Sequence, residues 1–492
     1  MVRWNLFESE FLMPQNRSAY LDAMRAAAEV IYDSLPNRPY TGLTADQLAQ
    51  SFQHDFLPPD GASAGAVLNK LSHLIQHSVV VTHPHTAAHF HCPPLIPAVA
   101  AESIIAALNQ SMDSFDQAPA ATVLETEMIR WLCERVELPV GAGGVFTSGG
   151  TQSNFMGLML ARDNCVQAHW NWNVRERGLP AAASRIRILC SDIAHFSIQK
   201  SAAQLGLGTQ AVRTIPTDSS RRLCARSLRV ELAKLREEEL YCMAVVATAG
   251  STDFGSVDPL SEIAGICRST RTWFHVDAAY GAALLFSPGY RQMLHGIENA
   301  DSIGLDFHKL LWQPISCSAF LLRDAGQFRH MELHADYLNP VDHADRGIPN
   351  LVTKSIATTR RFDSLKLWVS LQVLGEKKLG EMIDRTFALA QHVAEMIRRN
   401  PRLELLQAPS LGCVLFRYLP TNNEDVNRVN GRLRQRLFDR GIAIIGQTKF
   451  LERQYLKLTC MNPAVMEQQY EELLAEIVRQ GTEIEANAAA NG

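Results

Sequence analysis

The sequence predicts an α/β protein: a mostly parallel sheet with helices on both faces, followed by a small α+β C-terminal domain. Three observations predict it. Brief apolar runs alternate with helical patterns between residues 185 and 322, a Gly-rich loop at 141–150 runs straight into a helical pattern, and near residue 400 the rhythm shifts again. Short buried strands alternating with helices are what a sheet covered on both faces requires.

Taking the elements in order, Leu21, Met24, Ala28 and Ile31 recur at helical spacing between Ser18 and Leu35, ahead of Pro36, so the chain opens with an amphipathic helix. Residues 43–110 also read as helical, broken by the turn Pro58-Pro59-Asp60-Gly61 and by a His- and Pro-rich segment at 82–94. A further helical run ends at Glu137, and after the Gly-rich loop a helix covers Thr151 to Arg162. Strands are expected at 185–190, 243–247, 272–276, 302–305 and 318–322, with helical patterns such as Leu228, Leu232, Leu235 between them. Beyond residue 400, strands are expected at 411–418, 441–445 and 455–460, and helices at 424–439 and 464–480. The tail from Glu483, with its Ala-Asn repeats, is expected to fray. These changes divide the chain into an N-terminal helical segment (1–110), a large domain (111–395) and a small α+β domain (396–492).

Composition narrows the function. With 492 residues, 47% apolar and 20% charged, the chain is neither disordered, collagenous nor a disulfide scaffold. Its net charge, 47 − 51 = −4 without long runs of one sign, carries no footprint for nucleic acid or an anionic membrane. The 10 cysteines are scattered without a CxxC pair, as in a reducing cytosol. Glu8 and Glu10 interrupt the N-terminal apolar stretch, so no secretory signal is expected, and Pro94, Pro97 and Glu102 break the best membrane candidate. The expectation is a cytoplasmic protein acting on a small molecule.

In parallel sheets ligands bind beyond the carboxyl ends of the strands, so chemistry is sought there. FTSGGTQSNFMG places Ser148, Gly149, Gly150 and Thr151 at the start of a helix, where free N–H groups bind phosphate; a capped helix start without a ligand has the same appearance. HVDAAYG sets Asp277 after a strand with Ala278 and Ala279 beside it, which suits either a cofactor's close approach or a structural carboxylate. GLDFHK sets His308 and Lys309 after the next strand; alone, Lys309 reads as a solvated lysine. Together these are a phosphate anchor, a partner for a pyridinium nitrogen and a Schiff-base amine, the three requirements of pyridoxal 5'-phosphate. His195, in SDIAHFS, adds an imidazole able to stack on a flat ring. The crowded His83, His85, His89, His91 and Cys92 match no zinc spacing, and no metal is expected.

These motifs resemble the group II pyridoxal-phosphate decarboxylases, which include the glutamate and aromatic amino-acid decarboxylases. FTSGGTQSN, SDIAHFS, ATAGSTDFG, HVDAAYG and FHK occur in that family's order and approximate spacing, and the resemblance runs from about Pro84 to Pro463. ALNQSMDSFDQAPAATVLE at 107–125 and YLKLTCMNP at 455–463 look like the branch of bacterial L-2,4-diaminobutyrate decarboxylases and siderophore-pathway lysine decarboxylases. The resemblance implies the aspartate-aminotransferase-like fold type I with a seven-stranded central sheet. It also implies a homodimer with active sites at the subunit interface, to which residues 1–110 contribute.

Residue by residue, the resemblance makes Lys309 the Schiff-base lysine, Asp277 the pyridinium partner, His195 the group over one ring face and Ala279 the group on the other. Gly150, Thr151 and His308, with Ser148 and Gly149, would hold the phosphate, and Thr252 would lie close to the cofactor. Tyr337, on a long loop from Asp336 to Pro349, matches a tyrosine that protonates the carbanion. Asp306 stands where several relatives carry asparagine, and an acidic group there is unfavourable to phosphate. The implied reaction is decarboxylation of a basic L-amino acid, first L-2,4-diaminobutyrate to 1,3-diaminopropane, for siderophore or polyamine synthesis. L-lysine or L-ornithine, and then glutamate or aspartate, are the alternative substrates. Transamination or carbon–sulfur cleavage would use the same fold, and an inactive binding protein is the non-enzymatic rival, opposed by the presence of Lys309, Asp277 and His195. Asp113, Asp116, Asp342 and Asp345 are candidates to meet a distal ammonium.

Overall fold

The computed structural model describes residues 11–51, 57, 59–340, 342–422 and 424–490. Glu8, Glu10 and Pro58 therefore lie outside the described residues. In chain order come α1 (Arg17–Ser34), α2 (Ala45–Ser51), α3 (Ala64–Gln76), β1 (Thr86–Ala87), α4 (Ile96–Leu108), α5 (Pro119–Val136), β2 (Gly143–Thr147) and α6 (Gly150–Trp170). Then follow α7 (Val174–Arg177), β3 (Ile186–Ser191), α8 (Ser197–Gln204), β4 (Val212–Ile215), α9 (Ala225–Glu237), β5 (Tyr241–Thr248), α10 (Leu260–Thr270), β6 (Trp273–Ala278), β7 (Ser302–Asp306) and β8 (Ser318–Leu322). The last elements are α11 (Asp342–Asp345), α12 (Ser364–Arg399), β9 (Leu403–Leu405), β10 (Cys413–Tyr418), α13 (Val426–Asp439), β11 (Ile444–Phe450), β12 (Arg453–Thr459) and α14 (Glu467–Ala490). The chain forms two compact units, one of residues 92–391 and 408–413, the other of 1–91, 392–407 and 414–492.

The first unit is built on a seven-stranded sheet in the order β2-β8-β7-β6-β5-β3-β4. β8 pairs antiparallel with both β2 and β7, and the pairings from β7 through to β4 are all parallel. Thus β8 alone runs against the rest, and the mostly parallel sheet expected from the apolar runs is the one observed. Each of β6, β7 and β8 is a nearly continuous buried run, as strands covered on both faces must be. Leu158 of α6 packs with Ile186 and Ile188 of β3 and Ala244 and Val246 of β5 in one apolar cluster.

Two strands of this sheet were not expected. β2 sits inside the Gly-rich loop, where Gly143 and Gly144 mask its strand character; a Cβ at Gly144 would stand 3.0 Å from Leu321 Cδ2. β4 is a short, half-exposed edge strand whose Arg213 and Thr214 dilute the apolar signal. Asp277 proves to lie within β6 rather than after it, paired in register with Thr248 and Gly304.

The second unit carries a five-stranded sheet in the order β1-β11-β12-β10-β9. Its edge is β1, two residues of the His- and Pro-rich segment that pair parallel with β11, Thr86 opposite Ile444. The expectation of a fraying tail is corrected: α14 continues to Ala490. Glu485, 7% exposed, ties it down by accepting hydrogen bonds from Thr421 Oγ1 at 2.7 Å and from the Tyr418 hydroxyl, and by pairing with Arg402. A composition rich in Ala and Asn is thus overridden by tertiary contacts.

Candidate active site

All the chemistry-bearing motifs of the first unit meet at one edge of the seven-stranded sheet. β2 ends at Thr147, β3 at Ser191, β5 at Thr248, β6 at Ala278 and β7 at Asp306; β8, running the other way, begins there at Ser318. This is the carboxyl edge of the parallel strands, where such folds bind ligands.

Helix α6 begins at this edge. Its first N–H groups have no partner within the helix and carry the positive end of its dipole. Only glycine fits at Gly150, because a Cβ would stand 2.9 Å from Ala279 Cβ and 3.3 Å from Asp306 Oδ2. The loop before it is held from behind: the Phe146 N–H donates to Glu125 Oε1 at 3.1 Å, while Arg360 Nη1 donates to Phe146 O at 3.1 Å and pairs with Glu125 at 2.9 Å. Glu125 is fully buried, and burial pushes its carboxyl upward against the pull of Arg360. Ser148 donates from both N–H (2.9 Å) and Oγ (2.8 Å) to Gln152 Oε1, and Thr151 is exposed at the helix start.

Asp277 is 6% exposed. Its Oδ1 accepts the Ala279 N–H at 3.1 Å and its Oδ2 accepts from Asn154 Nδ2 at 2.8 Å. A carboxylate has about four acceptor positions, so two protein donors leave it with capacity for a further N–H. Lys309 Nζ stands 3.2 Å from Asp306 Oδ2, and His308 Nε2 is 3.7 Å from the same oxygen. Asp306 Oδ1 accepts from Ser318 Oγ at 2.7 Å. His308 and His195 are both pushed below the ordinary imidazole range, chiefly by burial. His195 joins the cluster through Ser197, whose Oγ lies 2.8 Å from His195 Nδ1 and accepts from Asn154 at 2.9 Å.

The structure therefore brings together Gly149, Gly150, His195, Asp277, Ala279, His308 and Lys309. Thr252 sits in the turn after β5, its carbonyl accepting from the Cys413 thiol. Tyr337 does not belong to this buried cluster; it is 83% exposed, on a turn after β8. Among the described residues no group of His, Cys, Asp and Glu is arranged to hold a metal ion. Asn154, His275, Ser197 and Ser318 were not singled out from the sequence. The available signal was Gly150, Asn154 and Gly157, a small and polar stripe along one face of α6, where a helix passes close over a sheet.

These residues fit pyridoxal phosphate. The glycine cradle admits a group that a Cβ would exclude, and Thr248 Oγ1, on the residue paired with Asp277, is buried without a hydrogen-bond partner, as is Ser191 Oγ. Fold and site together define a fold-type I pyridoxal-phosphate enzyme. The chain belongs to the pyridoxal-dependent decarboxylase family, whose conserved domain matches residues 49–419. It is 42% identical over 97% of its length to the L-2,4-diaminobutyrate decarboxylase of Acinetobacter baumannii, covering 96% of that protein. It is 39% identical to the L-2,4-diaminobutyrate decarboxylase of Rhizobium meliloti (strain 1021), over 96% of this chain and 94% of that one. Among solved structures it is similar to the glutamate decarboxylase domain of diaminobutyrate-pyruvate transaminase and L-2,4-diaminobutyrate decarboxylase from Vibrio parahaemolyticus. There the TM-score is 0.88 at 38% identity, covering 96% of this chain and 97% of that one.

Proposed function

We propose that this chain decarboxylates L-2,4-diaminobutyrate, releasing carbon dioxide and 1,3-diaminopropane. The observation that carries the reading is the likeness to two diaminobutyrate decarboxylases across nearly the whole of each chain. When bound, pyridoxal phosphate supplies an electron sink for the carbon that loses carbon dioxide.

The chain's own residues do the rest. Lys309 would supply the primary amine that holds the cofactor, and Asp306, 3.2 Å from that nitrogen, would keep it positioned. Asp277 would hold a proton on the ring nitrogen; each 1.4 kcal/mol of extra stabilisation of the developing charge is worth about tenfold in rate. His195 would cover one ring face and Ala279 the other, while Ser148, Gly149, Gly150, Thr151 and His308 hold the phosphate at the start of α6. Thr252 would lie near the cofactor. Tyr337 would deliver the proton to the carbon after carbon dioxide leaves.

The active form is read as a homodimer. Leu21, Met24 and Ile31 form an exposed apolar stripe on α1, and Ile96, Val99 and Ile104 are exposed on α4. Such faces call for cover by a second copy, with the segment 1–110 at the interface. All ten cysteines are free, in keeping with a cytoplasmic enzyme. No helix among the described residues is long and apolar enough to cross a membrane.

The test is to supply L-2,4-diaminobutyrate, L-ornithine, L-lysine, L-glutamate and L-aspartate separately to the holoenzyme and to identify products by mass. 1,3-Diaminopropane formed with the highest kcat/KM is the expected result. Putrescine or cadaverine as the preferred product would move the substrate to ornithine or lysine, and a keto acid in place of any amine would overturn decarboxylation.

A further inference from the structure

Asn154 is 1% exposed, on the second turn of α6, and it touches three groups at once. Its Nδ2 donates to Asp277 Oδ2 at 2.8 Å and to Ser197 Oγ at 2.9 Å; its Oδ1 lies 2.9 Å from His275 Nε2. The carboxylate of Asp277 can only accept, so the amide nitrogen must face it and the amide oxygen must face His275. One side chain therefore fixes the direction of every hydrogen bond around it.

The consequences run outward in two directions. His275 Nε2 carries a proton, which it donates to Asn154 Oδ1. Its Nδ1 then accepts from Ser302 Oγ at 2.8 Å, and Ser302 Oγ accepts from Trp273 Nε1 at 2.8 Å. His275 is fully buried, and burial pushes it down to about 4 against the pull of Asp277, so it is neutral near pH 7. On the other side, Ser197 Oγ accepts from Asn154, which leaves its own proton available to His195 Nδ1 at 2.8 Å. The Ser197 N–H also points at that nitrogen, at 3.3 Å. His195 Nδ1 is thus an acceptor, and the proton of the neutral ring lies on Nε2.

We propose that Asn154 is a positioning residue for the reaction: it aims the Asp277 carboxylate and, through Ser197, obliges His195 to present Nε2–H as a donor. The inference rests on the roles assigned above to Asp277 and His195. A neutral His275 leaves Asp277 as the carboxylate charge of this network, undiluted by a competing cation, and free to pair with a ring N–H. The helix can come this close only because position 157 is glycine; a Cβ there would stand 2.6 Å from His275 Nδ1.

Histidine-selective 15N labelling of the holoenzyme reads the tautomers directly, with His195→Gln and His275→Gln assigning the two signals. Both rings are expected neutral with protons on Nε2; a proton on Nδ1 of either ring overturns the proposal without any reference to activity. In Asn154→Leu, kcat per bound cofactor is expected to fall about 10–100-fold with KM little changed, the usual effect of removing a residue that orients a reacting group. Cofactor should also dissociate faster. Should that variant not fold, Ser197→Ala cuts only the branch to His195. It should lower kcat while leaving cofactor affinity alone, and equal loss of both, or of neither, counts against the proposal. If Asp277→Asn is inactive while Asn154→Leu keeps the wild-type kcat, the positioning role fails and the reading of Asp277 stands. If Asp277→Asn is itself active, the reading beneath it fails.

Discussion

The pocket around Asp277 and the segment carrying Tyr337 differ in how completely they are built. Asp277, Asn154, Ser197, His275 and Ser302 are all buried, and each is held by at least one side-chain hydrogen bond. Beside Tyr337 it is Asn339 that is comparably fixed: it is 1% exposed, donates to Leu333 O at 2.9 Å and accepts the Ala335 N–H at 3.0 Å. Tyr337, two residues away, points into open space. On the roles proposed above, the half of the chemistry that stabilises charge needs a fixed dipole and is over-determined, whereas the half that would deliver a proton must let substrate in and carbon dioxide out. Segments that open are drawn from the parts of a fold with few buried contacts.

Several substitutions sharpen or break this contrast. Lys309→Ala has the largest expected effect: the visible absorption of attached cofactor disappears and amine formation falls to background, while the protein remains folded. Persistence of that band would remove Lys309 from its role. Tyr337→Phe should next lower amine formation by about 10²–10⁴-fold, the usual worth of a general acid. It should do so without altering cofactor absorption, and with a stability change within about 0.5 kcal/mol, as for other exposed sites. Asp277→Asn should lower turnover by about 10²–10³-fold and also lower thermal stability, because an NH2 donor replaces one of the two oxygens that accept from Ala279 N–H and Asn154. If Tyr337→Phe destabilised the protein as much as Asp277→Asn, the distinction between a fixed and a yielding region would collapse.

A second buried site tests how the loop before Gly150 is supported. Glu125→Leu removes the partner of a guanidinium that is 7% exposed and frees the Phe146 N–H. Breaking a buried ion pair from one side costs about 3–5 kcal/mol, so denaturant unfolding should show a loss of that size. Weaker cofactor binding should accompany it, because the loop before Gly150 loses its clamp. A loss below about 1 kcal/mol would show that the clamp is not what holds β2 in place.

Much of this was legible in the sequence, and the rest was hidden for physical reasons. β3 and β5 to β8 announce themselves because strands buried on both faces must be apolar throughout. β2 was concealed by its glycines, which are present because the neighbouring strand passes too close for a Cβ, and β1 pairs with a strand more than three hundred residues away, which no local pattern encodes. The places of Asp277 and Lys309 could be read because each lies at or just past the end of a strand whose apolar run is clear, and that of the loop at 148–151 because a clear helix follows it. Asn154 could not, since its meaning lies in three partners at 197, 275 and 277 that only the fold assembles. Asp306 looked adverse as a lone acid near phosphate; in the structure Lys309 at 3.2 Å and the Ser318 hydroxyl compensate it.

The smallest expected effect is also the most discriminating one for the buried network. The folded protein holds His275 down to about 4, whereas an unfolded histidine titrates near about 6.5. Between those values the unfolded chain binds more protons than the folded one, so this group's contribution to stability is full above 6.5 and declines as pH falls toward 4. The whole decline amounts to roughly 3 kcal/mol. Asp258 acts in the opposite sense. Burial raises its carboxyl to about 6, above the ordinary aspartate range, so the folded state takes up protons first and gains stability as pH falls through that value. The two slopes partly cancel in the wild-type protein, and only a difference reveals them. The stability of the wild type minus that of His275→Gln should therefore shrink as pH is lowered from 7.5 to 4.5, read from denaturant midpoints at each pH. A constant difference would mean that His275 titrates in the folded state as it does in the unfolded chain, and a difference that grows as pH falls would mean that it is already protonated at pH 7.5. A protonated ring would still donate from Nε2 to Asn154 Oδ1, but its Nδ1 would donate to Ser302 Oγ instead of accepting from it.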